Sequence, residues 1–160
     1  MNILLLIDHY SAYDLWANSR LMQRLSREEE SIFDTHVASS FPSIRATLMH
    51  IRNAEAVWQA RMRGAVLRWP AEESSAMDTV LAHVVTMRQY VQSLTEENLL
   101  ESVVYTDLKG NAHQQVRWQA LMHCFNHSTY HRGQVITMMR QLELDDIPAL
   151  DLVVYQRLQS

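Results

Sequence analysis

Residues Leu4–Leu25 read LLLIDHYSAYDLWANSRLMQRL. Within them Leu6, Tyr10, Tyr13, Trp16, Ala17, Leu21 and Leu25 recur at intervals of three and four, the period of a helix with one apolar face. The chain beyond extends the pattern. Its 160 residues hold only three glycines and three prolines, and a chain so poor in breakers favours long helices. A second helix is predicted from Phe41-Pro42-Ser43, where proline suits a first turn and Ser43 a cap, to Gly64. Ile44, Leu48, Ile51, Glu55, Trp58 and Met62 share one face of it, with Thr47, Ala54 and Val57 widening that face. A single acid, Glu55, interrupts this apolar surface. A third helix, roughly Ala76 to Leu94, repeats the spacing with Val80, Val84, Met87, Val91 and Leu94. A fourth runs from about Trp118 to Leu142 and ends before Asp145-Asp146-Ile147-Pro148.

The connections carry weaker signals. Ser26 and Glu29 have capping-box spacing, so a short helix or turn is expected before Phe33–Ser40, where the period is lost. Ser102–Val116, with Val103-Val104-Tyr105 and then Asp107-Leu108-Lys109-Gly110-Asn111, reads as a small hairpin or irregular excursion. Leu150, Leu152, Val153 and Tyr155 should dock a short tail on the helices. The expectation is one all-α domain over residues 1–160.

Composition narrows the function. Apolar residues make up 48% and charged residues 20%, which excludes a disordered chain. A net charge of −4 with scattered arginines argues against nucleic acid. One cysteine, Cys124, permits no internal disulfide and fits a reducing compartment; in an apolar helix it reads as inert core. MNILLLIDHY meets Asp8 before any basic residue, unlike a secretory signal, and no run approaches the length of a membrane span. A cytoplasmic protein is expected.

Eight histidines are the chemical feature of the chain. His123, His127 and His131 stand four apart, each turned about 40° from the last and about 6 Å along the axis. Two imidazoles at i and i+4 can share a metal ion, but His123 and His131, about 12 Å apart by the same rise, cannot both bind one tetrahedral ion. The remaining ligands must come from another helix. His50, at the margin of the apolar face beside Thr47, Ala54 and Val57, is the first choice, and His83 on the third helix is its rival. His9 lies near the terminus, and His36 and His113 fall in expected loops. The stripe continues as Gln134 and Met138, suiting a pocket wall. Without an HExxH pattern there is no zincin-type base. A helical interaction protein, with the histidines as core groups and Trp16, Trp58, Trp69 and Trp118 as packing or dimer surface, is the competing reading. Gly133, about 120° from the His127/His131 edge, would admit a neighbouring helix.

Three strings, YDLWANSRL at Tyr13–Leu21, FPSIRATLMHI at Phe41–Ile51 and NHSTYHRGQV at Asn126–Val135, resemble in order and separation the signature stretches of the DinB/YfiT-like superfamily, which is unrelated to the polymerase sharing the DinB name. The resemblance spans nearly the whole chain and implies an antiparallel four-helix bundle with a long crossover, often a homodimer through the first and last long helices. It implies a metal-binding histidine triad that falls on His50, His127 and His131, with His123 lining the pocket. Tyr130, Gln134 or Glu55 would touch a small-molecule substrate; no catalytic residue is assigned. The implied chemistry is a metal-dependent thiol S-transferase, using a low-molecular-weight thiol, or a hydrolase. The alternative is a non-catalytic, stress-associated metal-binding bundle. Imidazole ligands suit zinc or nickel first, with iron or manganese next.

Overall fold

The computed structural model describes residues 2–66 and 68–159. Helix α1 spans Ile3–Leu25, and its first turn is capped by Asn2, whose Oδ1 accepts from the Leu4 and Leu5 amides at 2.8 and 3.4 Å. Ser26 closes this helix, its hydroxyl donating to the Gln23 carbonyl at 2.8 Å. The capping box expected at Ser26 and Glu29 is therefore absent, because that hydroxyl is committed to the helix behind it. A single 3-10 turn, Glu30–Asp34, follows.

Helix α2, Ile44–Met62, starts where Ser43 Oγ accepts from the Ala46 amide at 3.2 Å. It stops at Gly64, whose φ of 73° only glycine adopts cheaply. The amides of Gly64 and Ala65 turn back to the carbonyls of Arg61 and Ala60 at 3.1 and 2.9 Å, satisfying groups the helix end would leave open. Helix α3 is Asp78–Gln92, and the single turn of α4 is Glu96–Leu100. Strands β1 (Ser102–Thr106) and β2 (Ala112–Val116) form an antiparallel hairpin with Ser102 opposite Val116 and Thr106 opposite Ala112. His113 thus lies on a strand rather than in a loop. Helix α5, Arg117–Gln141, and the short α6, Leu152–Arg157, complete the order.

Four long helices close a ring: α2 packs on α5 and α3, and α1 packs on α3 and α5. The core residues set their directions. At one end Leu21 and Leu25 of α1 meet Ile44, Val80 and Met138; at the other Ile7 meets Met62, Val91 and Leu121. Helices α1 and α5 therefore run together, and α2 and α3 run opposite to them. Because α2 and α3 are parallel, residues 63–77 must cross the length of the bundle, which is the long crossover. Buried Arg52 pins that segment, donating to the carbonyls of Ser74 (2.6 Å) and Glu72 (2.8 Å) and to Thr79 Oγ1 (2.7 Å). In the tail, Tyr155 packs on Tyr13 and Trp16, and the Tyr13 hydroxyl donates to the Leu150 carbonyl at 2.8 Å. No atom lies within 4 Å of where a Cβ on Gly133 would stand. Among the described residues no neighbouring helix comes up against Gly133, contrary to expectation. Among the described residues no helix is long and apolar enough to cross a membrane.

Candidate metal centre

The seam between α2 and α5 brings His50, His127 and His131 together, with one ring nitrogen from each lying within 4.8 Å of the others. His127 and His131 reach it because a four-residue step returns nearly to the same helix face. His50 reaches it because α2 runs antiparallel to α5, placing the start of one helix beside the middle of the other. The Nε2 atoms of His50 and His127 are 3.0 Å apart. Two nitrogens bound at about 2 Å to a tetrahedral ion stand about 3.3 Å apart, so little ring motion separates this arrangement from a ligand set.

Charge favours the same reading. Burial, reinforced by the neighbouring His131, lowers His50 to about 4, and burial together with His131, His50 and His123 lowers His127 to about 4. Both rings are neutral at pH 7, the form that offers lone pairs to a cation. His131 is buried and held by its far side: Nδ1 lies 2.8 Å from Gln134 Oε1, and the Gln134 amide donates to Ser40 Oγ at 2.9 Å. That contact sets the ring orientation and leaves Nε2 for the centre. Phe41 lies 4.4 Å from the His50 ring and Trp69, from the crossover, 5.5 Å from it. Three imidazole nitrogens, one of them on a ring oriented from behind, are a donor set that fits a divalent transition ion.

The other residues singled out by the sequence separate. Tyr130 is exposed and sets its ring edge-on to His131 at 5.0 Å. His123, one turn along α5, lies 6.0 Å from His127 and 4.9 Å from Trp58, and burial and the Arg61 charge lower its pKa. His83 is bonded to Glu72 at 2.8 Å. His36 is exposed, and His113 is exposed and bonded to Asp107 at 2.9 Å. Cys124 is buried, and its surroundings push the thiol well up.

Glu55 is 2% exposed, and neither carboxyl oxygen finds a hydrogen-bond partner. Burial and the nearby Asp14 carboxylate raise its pKa well above the usual range and favour the neutral acid. Asp14 pairs with Arg132, which also donates to Ser128 Oγ at 2.8 Å and Thr129 Oγ1 at 2.9 Å. This buried ion pair, joining α1 to α5 behind the imidazoles, has no periodic signal. Its one trace in the sequence is the pair of charges, Asp14 and Arg132, inside two of the signature strings. A groove of about 660 Å³ opens elsewhere, between α1, α5 and the tail.

Comparison with known proteins agrees with this architecture. The chain is similar to "Protein DinB" of Bacillus subtilis (strain 168), with 25% identity over 142 residues that cover 81% of each chain. It also resembles the crystal structure of a DinB-like protein from Bacillus cereus ATCC 10987, at a TM-score of 0.63 and 18% identity, over 86% of this chain and 91% of that one. Residues 1–159 match the DinB family, and the chain belongs to that family.

Proposed function

We propose that His50, His127 and His131 hold one divalent transition ion and that the protein is a metal-dependent enzyme acting on a small molecule, as a thiol S-transferase or a hydrolase. The observation that carries this reading is the convergence of three imidazole nitrogens from two helices within 4.8 Å. Zinc or nickel suits the donors first, and iron or manganese next. A bound ion with a free coordination position lowers the pKa of a thiol or water there, making a nucleophile at neutral pH. The chain's own contribution is to keep the His50 and His127 rings neutral by burial, to fix His131 through Gln134, and to wall the centre with Phe41 and Trp69. Tyr130 and His123 flank it and are available to contact substrate.

Freshly purified protein is expected to carry about one transition ion per chain by elemental analysis, and His127→Ala to lose it. A panel of thiols with electrophiles then tests the reaction. Metal retained in His127→Ala would overturn the assignment. A second reading, a non-catalytic stress-associated metal protein, is favoured by the ligands' origin on two helices, which an ion would staple together. Under it, chelation would unfold the bundle and no thiol panel would show turnover. We further propose a cytoplasmic homodimer built on α1 and α5, where the 660 Å³ groove offers surface to a second copy; sedimentation mass checks it.

A further inference from the structure

We propose that Arg61 forms an anion-recognising subsite at the far end of the histidine seam, selecting elongated substrates that bear a carboxylate remote from their metal-binding atom. This rests on the metal-centre reading above. His50 and Arg61 are eleven residues apart on α2, so the helix brings them back to within about 20° of one face, about 16 Å apart along the axis. The interval is lined by a continuous run of rings. His50 meets His127 at 4.9 Å, His127 meets His123 at 6.0 Å, His123 meets Trp58 at 4.9 Å, and Trp58 meets Tyr105 of β1 at 5.0 Å. At the end of this run the Arg61 guanidinium lies 4.8 Å from the Trp58 ring and 5.1 Å from the Tyr105 ring.

Arg61 is held between two rings on two elements, whereas Arg20 and Arg63, whose guanidinium groups also make no ion pair or hydrogen bond among the described residues, each lie over one ring, that of Trp16 at 5.3 Å and of Tyr90 at 4.7 Å. Arg45, Arg88, Arg117 and Arg132 each donate to a carboxylate, and Arg52 to backbone carbonyls. Arg61 is fixed by π contacts alone: among the described residues its guanidinium makes no ion pair or hydrogen bond. Stacking orders the planar fork without using its five N–H donors. An ordered cation with an unspent donor edge is prepaid for bidentate carboxylate recognition. The hairpin takes part, since Tyr105 supplies one of the two rings.

The test loads wild type, Arg61→Gln and Arg61→Lys with zinc, compares metal content by elemental analysis, and titrates each calorimetrically with glutathione and with glutathione diethyl ester. Wild type should bind glutathione more tightly than the ester. Arg61→Gln should weaken glutathione about tenfold, the scale of one charge-assisted hydrogen bond, with ester binding and zinc content unchanged, and Arg61→Lys should recover part of the loss. Unchanged glutathione affinity in Arg61→Gln, equal losses for acid and ester, or wild type that does not prefer the acid would overturn the subsite while leaving the metal centre intact. Wild type that takes up no zinc would overturn the metal centre and the subsite with it.

Discussion

Gln134 is the residue on which the orientation of His131 depends, since it lies at hydrogen-bond distance from the ring nitrogen turned away from the centre while its own amide is tied to Ser40. Gln134→Ala should leave the fold intact and weaken metal binding about 10- to 100-fold, the usual cost of removing a partner behind a ligating histidine. Competition against a chelator of known affinity measures it; unaltered affinity would mean that packing against Phe41 and Tyr130 suffices to aim the ring. At this scale the sequence is informative where chemistry follows spacing. The four-residue step marks one helix as the source of two ligands but does not choose between His123/His127 and His127/His131, a choice that the family resemblance makes, and the edge position of His50 on an apolar face puts it ahead of His83 as the partner. Glu55 is conspicuous as the one acid on that face. Its neighbours Asp14 and Arg132 are not legible as a pair, because a buried ion pair is defined by which helices meet and leaves no period along either of them.

Among the described residues the crossover, 63–66 and 68–77, holds no helix or strand and is anchored from α2 by a buried side chain. Arg52 is 1% exposed and satisfies the carbonyls of Ser74 and Glu72, while the neighbouring Asn53 Oδ1 accepts from the Glu72 amide at 3.2 Å. Arg52→Ala leaves two carbonyls unpaired above a cavity and is expected to cost about 3 kcal/mol. Urea denaturation would register the loss, and hydrogen exchange should quicken first in residues 68–77. A loss under about 1 kcal/mol would show that water replaces the guanidinium there. The sequence marks helix ends well where a residue has one reason to be present, as at Ser43 and Gly64. It misleads at Ser26, where a hydroxyl able to open one helix closes another. The hairpin is legible from its turn residues, but nothing in it foretells that Tyr105 lands on Trp58 and Arg61. That docking depends on the length of α4 and on the entry to α5.

For the molecule as a whole, the lowered pKa values of His50 and His127 link stability to pH. Both titrate near 4 in the fold, against an ordinary value of 6.5. An unfolded chain therefore takes up protons through pH 6.5 that the folded one refuses until about pH 4. Metal-free protein should keep the full contribution of these rings above about pH 7 and lose it progressively between pH 6.5 and pH 4. Urea midpoints over that interval check the slope, and an unchanging midpoint would mean that the rings titrate as though in water. The helical ring itself follows from breaker-poor composition and apolar periodicity, whereas the parallel run of α2 and α3 depends on core contacts that no single segment displays.

The two sides of the histidine cluster are encoded 77 residues apart. During synthesis, a nascent chain that has emerged only through the hairpin presents a lone imidazole on α2 with nothing opposite it. Only once residue 131 has cleared the ribosome and α5 has closed the ring are all three nitrogens in place. Capture of a cation by this chain would therefore mark the completion of folding rather than its beginning.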